Sequence, residues 1–245
     1  MIVIKSREEL DLMRESGSIL AEMLAELASE VRAGIRTSEL NDFVERKMLE
    51  RDVVASFKGY GGFPASVCVS VNEEVVHGIP GERVLKYGDI VSLDLGVYHR
   101  GFHSDAAVTV AVGRVSDTAE HLIDTTREAL REGIARARPG NHVGDIGTAI
   151  QRYAEAQGFS VVREYTGHGV GRQLHEDPQV PNFACGRGPV LRPGMTMAIE
   201  PMLAAGDWKT RVGPDKWVVC TADNSLAAHF EHTIAITDGE PEVFA

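Results

Sequence analysis

The segment 90–108 reads Ile90-Val91-Ser92-Leu93-Asp94-Leu95-Gly96-Val97-Tyr98-His99-Arg100-Gly101-Phe102-His103-Ser104-Asp105-Ala106-Ala107-Val108. It is rich in β-branched and aromatic residues and is interrupted once, at His99-Arg100-Gly101. That pattern predicts two antiparallel strands, over 90–98 and 102–112, around a tight turn. Each strand carries one aspartate. With the turn centred between His99 and Arg100, Asp94 falls opposite Asp105, Cβ atoms roughly 5 Å apart. Like charges opposed in this way repel. They persist where a cation sits between them, or where one carboxyl keeps its proton.

Outward from this hairpin the chain alternates helices with strands. Ser6 followed by Glu9 reads as a capping box, and Leu20, Met23, Leu24, Leu27 and Val31 recur behind it at helical spacing. Gly34 should end that helix. A second helix is expected over 38–51, with Leu40, Phe43, Val44 and Met48 on one face, and a strand over 66–71. Two more helices are expected over 118–137 and 143–156, and further strands over 160–163, 195–200, 217–221 and 230–237. The order is helices then strands, twice. A shift of 106 positions carries Arg32-Ala33-Gly34 onto Arg138-Pro139-Gly140, Glu39-Leu40 onto Asp145-Ile146, and Leu85-Lys86-Tyr87-Gly88 onto Leu191-Arg192-Pro193-Gly194. The same shift carries Asp94 onto Glu200. Two related halves with an acid at the same place in each point to a site on a pseudo-twofold axis.

Composition bounds the rest. The chain has 245 residues, is 43% hydrophobic and carries a net charge of -11, which suits one α/β domain with a sizeable core. An acidic chain lacks the basic face of a nucleic-acid binder, so no nucleic acid is expected as partner. Every apolar run is shorter than a membrane span, and residues 1–9 show no apolar signal segment. Cys68, Cys185 and Cys220 are odd in number and widely spaced. They form neither a disulfide framework nor a CxxC zinc pair, and a cytoplasmic location is expected.

Three further acid or imidazole positions stand out. Glu200 ends the apolar run Met195-Thr196-Met197-Ala198-Ile199, and Pro201 should stop ladder pairing there. Strand alternation puts Phe230, His232, Ile234 and Ile236 on one face and Glu231, Thr233 and Ala235 on the other. His168 sits in Gly167-His168-Gly169-Val170-Gly171-Arg172, whose glycines allow close backbone approach and positive φ. No GxSxG elbow or P-loop is present, and His175-Glu176-Asp177-Pro178-Gln179 begins like HExxH but fails at Gln179. Four semi-buried carboxylates and one imidazole suit Mn, Fe(II), Co or Zn in a two-metal site. Such a pair can lower the pKa of a shared water and clamp a carbonyl oxygen.

Asp94, Asp105, His168, Glu200 and Glu231, in this order, resemble the metal ligands of pita-bread-fold metallopeptidases. The surrounding segments resemble type I methionine aminopeptidases: Gly59-Tyr60-Gly61-Gly62-Phe63-Pro64, Ser66-Val67-Cys68-Val69-Ser70-Val71-Asn72, Val76-His77-Gly78-Ile79-Pro80, the aspartate hairpin, Gly167-His168-Gly169-Val170-Gly171-Arg172 and Glu231-His232-Thr233. The resemblance spans nearly the whole chain. It implies an α/β pita-bread fold as a single metallopeptidase domain over 1–245, with pseudo-twofold halves, a curved antiparallel sheet, helices on its outer face and metals on the inner one. It implies two divalent ions (Co, Mn, Fe or Zn). Asp94 would chelate one; Asp105 and Glu231 would bridge both; His168 and Glu200 would complete the other, with Glu200 also the proton shuttle. His175 would steady the tetrahedral intermediate, and His77 would contact the substrate backbone. Tyr60, Phe63, Cys68, Leu174 and Trp217 would form the methionine pocket, although Phe63 and Leu174 depart from the commonest pattern. The reaction implied is removal of the N-terminal methionine from nascent polypeptides at the ribosome, by a monomer, where the second residue is small. With Ile2 bulky, Met1 of this chain should be retained. An X-Pro aminopeptidase or prolidase shares the ligand set but usually adds a large N-terminal domain, for which Asp94 comes too early. An inactive peptide-binding module of this fold would tend to lose ligands, and all five stand here.

Overall fold

Arg100 and Gly101 form the central turn, with φ of 48° and 93°. Positive φ at both positions marks the two-residue turn whose twist matches that of a hairpin. The turn is centred one residue later than the spacing suggests. His99 pairs with Phe102, so Asp94 faces Ala107 and Asp105 faces Gly96. The expected direct opposition of the two aspartates is therefore corrected to a diagonal one. The displacement is two residues, an even number, so both side chains stay on one face of the sheet.

The computed structural model describes residues 1–245. The first half comprises α1 (Arg7–Glu30), α2 (Thr37–Glu50), β1 (Val54–Ala55), β2 (Cys68–Val71), β3 (Glu74–Val76), β4 (Ile90–His99) and β5 (Phe102–Ala111). The second comprises α3 (Asp117–Ile134), α4 (Val143–Ala156), β6 (Ser160–Val161), β7 (Gly167–Gly169), β8 (Glu176–Val180), β9 (Thr196–Ile199), β10 (Met202–Ala204), β11 (Thr210–Val212), β12 (Val219–Thr221), β13 (Ala227–His229), β14 (His232–Ala235) and β15 (Glu242–Val243). The Ser6–Glu9 capping box starts α1 as expected, and the helix stops at Glu30, before Gly34. Every strand pairing is antiparallel, with β4 between β1, β2 and β5, and β9 between β7 and β14.

Alternation on β4 explains the layering. Val91, Leu93, Leu95 and Val97 point into a core shared with α1 and α2, together with Leu20, Leu27, Leu40 and Val44. Ser92, Asp94 and Gly96 take the opposite face. In the second half Met197, Ile199, Phe230 and Ile234 join Leu122, Leu130, Ile146 and Ile150 of α3 and α4. Helices thus cover the outer face of each half, and the acids line the inner one.

The 106-residue repeat is physical. Gly34 and Gly140 have φ of 91° and 88°, and Gly88 and Gly194 have φ of 94° and 86°. The Gly34 N–H donates to the Leu85 carbonyl, and the Gly140 N–H to the Leu191 carbonyl. Arg36 bridges Val84 as His142 bridges Val190. The helices α2 and α4 and the strands β1 and β6 obey the same shift at both ends.

Candidate metal centre

The halves meet along β5 and the strand leading into β14. Ala107 and Glu231 form a bridge, exchanging both backbone hydrogen bonds (3.3 and 2.9 Å). On either side a threonine replaces the ladder. The Thr233 hydroxyl accepts from the Asp105 N–H (2.9 Å) and donates to the Asp105 carbonyl (2.7 Å). The Thr109 hydroxyl does the same for His229, at 2.9 and 2.8 Å. A shift of 124 positions carries Asp105, Ala107 and Thr109 onto His229, Glu231 and Thr233, so this seam is the pseudo-twofold axis.

Opposed carboxylates do occur, in the second hairpin. Ile199 pairs with His232, and Met202 with His229. The register is continuous, so Glu200 and Glu231 face each other at the gap between the two ladders. Pro201 has no N–H to give, and the ladder is interrupted there, between β9 and β10.

His168 arrives from a third direction. The sequence assigns it no element; it lies on β7, a short strand between β8 and β9. Three residues with glycine on both sides carry no periodicity to read. Neither glycine has positive φ, so that expectation is corrected, while the close approach is real. A Cβ on Gly167 would stand 2.4 Å from the Ala198 carbonyl oxygen, and one on Gly169 2.1 Å from that of Asp177. The His168 Nδ1 lies 2.9 Å from the Gly169 carbonyl. Donation there fixes the tautomer and leaves the Nε2 lone pair facing Glu200 Oε1 at 3.5 Å and Asp105 Oδ2 at 3.8 Å.

A cavity of about 190 Å³ gathers these groups. It is lined by Asp94, Asp105, His168, Glu200, Glu231, His77, His175, Tyr60, Phe63, Cys68, Leu174 and Trp217, together with Phe57, which the sequence reading does not single out. Phe57 packs with Phe63, Cys68 and Leu174 as an apolar wall. Cys68 stands directly across the ladder from Asp94, joining that wall to the acids. At the rim, His175 Nδ1 is 2.7 Å from the Tyr60 hydroxyl. His77 holds φ of 61°, an unusual backbone state for a residue with a side chain, of the kind kept where geometry serves a site.

The electrostatics are those of a cation site. Burial pushes the Asp94 carboxyl up to about 7. Burial first, then each other's negative charge, pushes Asp105, Glu200 and Glu231 well above the carboxylate range. Burial drives the His168 imidazole down to about 3, which leaves it neutral, the form that binds metals. Asp94 Oδ1, Asp105 Oδ1 and Glu231 Oε1 are buried with no hydrogen-bond partner. Buried carboxylate oxygens are otherwise nearly always satisfied, so this donor set fits metal ions. One donor atom each from Asp105, His168 and Glu231 lies within 4.8 Å of the other two.

Known proteins resemble this chain in sequence and fold. The model of metallopeptidase family M24 matches residues 11–238. The chain is 51% identical to the methionine aminopeptidase of Clostridium perfringens, covering 99% of this chain and 98% of that one. It is 51% identical to methionine aminopeptidase 1 of Bacillus subtilis, covering 97% and 96%. The crystal structure of methionine aminopeptidase from Thermotoga maritima matches with a TM-score of 0.98 and 46% identity, covering 100% of this chain and 99% of that one. The Xaa-Pro dipeptidase from Bacillus anthracis shares the fold (TM-score 0.80, 24% identity), and this chain spans 61% of its length. A duplicated sheet that closes a carboxylate-rich cavity, and this degree of identity along the full chain, lead to one conclusion: the chain belongs to metallopeptidase family M24, among its methionine aminopeptidases.

Proposed function

We propose that the protein hydrolyses the peptide bond after an N-terminal methionine when the second residue is small. The observation that carries this is the junction of two surfaces in one small cavity: orphaned carboxylate oxygens on one side and an apolar wall on the other. Asp94, Asp105, His168, Glu200 and Glu231 would hold two divalent ions, drawn from Co, Mn, Fe or Zn. Ions bound there supply water activation near neutral pH and Lewis acidity toward a carbonyl. Glu200 takes the proton of the attacking water and passes it to the departing amine. The Tyr60 hydroxyl donates to His175 Nδ1, which keeps the ring proton on Nε2 as a donor to the developing oxyanion. Tyr60, Phe63, Cys68, Leu174 and Trp217 enclose the methionine side chain, with Phe57 beside them in the lining. The cavity has room for one large side chain, so the next residue must fit at the rim between His77 and His175.

The substrates we assign are nascent polypeptide N-termini met at the ribosome in the cytoplasm, with the chain acting as a monomer. Three free cysteines suit a reducing compartment, and a net charge of -11 opposes self-association. The test is hydrolysis of Met-Ala-Ser, Met-Ile-Ser and Ala-Pro-Ser by chelator-stripped protein with Mn(II), Fe(II), Co(II) or Zn(II) restored. Metal-dependent cleavage of Met-Ala-Ser alone is expected. Cleavage of the proline peptide instead would move the chain to X-Pro chemistry, and no cleavage with any metal would leave a peptide-binding module.

A further inference from the structure

His229 carries no role in the reading above. It ends β13, two residues before Glu231, and is only 1% exposed. Both of its ring nitrogens are buried with no hydrogen-bond partner. A neutral imidazole offers one donor and one acceptor, and a fold that strands both keeps the ring for another partner. Its Nε2 lies 3.7 Å from Glu231 Oε2, too far for a hydrogen bond. Two donors each about 2.1 Å from a common ion stand roughly 3 to 4 Å apart, and this pair does so. One donor atom each from Asp94, His229 and Glu231 also falls within 4.8 Å of the other two, as in the set formed by Asp105, His168 and Glu231. The two sets share Glu231, and each draws one acid from the first half and one imidazole from the second. Across that seam His229 is the counterpart of Asp105, itself part of the acid cluster.

We propose that His229 is a ligand of the ion held by Asp94, so that each ion of the pair has its own imidazole, His229 on one side and His168 on the other. This rests on the two-metal reading of the site. The consequence is selectivity. A nitrogen donor beside Asp94 favours Zn, Co(II) or Fe(II) there over Mn or Mg, which prefer oxygen alone.

X-ray absorption at the metal edge of the full chain loaded with two equivalents of Co(II) counts imidazoles without any substitution. Two imidazoles per metal pair are expected. His168→Ala and His229→Gln should each retain one. Calorimetric titration with Co(II) should show His229→Gln weakening one binding step by on the order of 10- to 100-fold, since even outer partners of a ligand move affinity by that much. The wild-type protein showing a single imidazole per metal pair would overturn the proposal. So would His229→Gln leaving both Co(II) steps unchanged while circular dichroism shows it folded. If those results came with normal cleavage of Met-Ala-Ser, the activity would stand and only this ligand would fall; failure to bind Co(II) at all would overturn both.

Discussion

Asp94, Asp105, Glu200 and Glu231 belong to a region that is unfavourable without cations, and single-residue changes there should separate stability from activity. In the fold the Asp94 carboxyl sits at about 7, against an ordinary aspartate value near 3.8. The folded metal-free chain therefore binds the extra proton across that window, and the unfolded chain does not. The contribution of Asp94 to stability falls as pH rises from about 4 to about 7. Buried neutral imidazoles such as His168 act in the opposite sense over the same range, so the contribution is isolated by comparing metal-free wild type with Asp94→Asn. The calorimetric Tm of the variant relative to wild type should rise with pH from about 4 to about 7. A difference between the two proteins that did not change with pH would refute the charge assignment. Glu200→Ala should abolish turnover of Met-Ala-Ser, since it removes both a ligand and the proton shuttle. His175→Ala should lower kcat by about 10²-fold, as loss of one oxyanion donor does, with Co(II) binding unchanged. Loss of metal in that variant would make His175 a ligand.

At the scale of elements, the site depends on a strand with no room beside it. β7 carries His168 between β8 and β9 only because its flanking residues lack side chains, with carbonyl oxygens 2.4 and 2.1 Å from the positions of their absent Cβ atoms. Gly169→Ala must push β8 away. A destabilisation of about 1–3 kcal/mol follows from such overpacking. Because His168 Nδ1 is held by the Gly169 carbonyl, Co(II) affinity should fall as well. Urea unfolding and metal titration of this variant check both, and unchanged affinity would show that β7 tolerates displacement. The break in the ladder at Glu200-Pro201 serves the same site from the end of the neighbouring strand, β9. It releases one carboxylate from a ladder that otherwise runs on in register.

At the scale of the whole molecule the halves are joined by the β3–β12 pairing, by apolar clusters drawn from both, and by a central seam of few hydrogen bonds. Ala107–Glu231 and two threonine hydroxyls close the seam between the halves. Each hydroxyl satisfies an N–H and a carbonyl of one residue, and that residue is Asp105 on one side and His229 on the other. Thr233→Val should strand two buried backbone groups and cost about 2–4 kcal/mol, with activity lost through displacement of Asp105. Thr109→Val should cost a similar amount. Denaturant unfolding of both single variants and of the double variant would show whether the two act as one unit, and additive costs would argue against a shared seam.

Helix positions, the central hairpin, the duplication and the five acid and imidazole positions could be read along the chain because each has a local signature: 3.6-residue and two-residue periodicities, a capping box, a turn tripeptide and a fixed repeat shift. The faces of β4, β5 and β14 were legible for the same reason, since parity survives an error of two in register. Other features depended on packing in three dimensions. Whether Asp94 met Asp105 or Ala107 depended on which residues closed the turn. The placement of His168 on a strand depended on the two neighbours that pin it. Phe57 and His229 have no motif of their own, because an aromatic in a wall and an imidazole beside an acid look like ordinary core until the two halves close. Which chemistry the chain carries, and on which face of each strand, is local information written along the chain. Which donors converge is not local, because it is set by a symmetry axis that no contiguous segment contains.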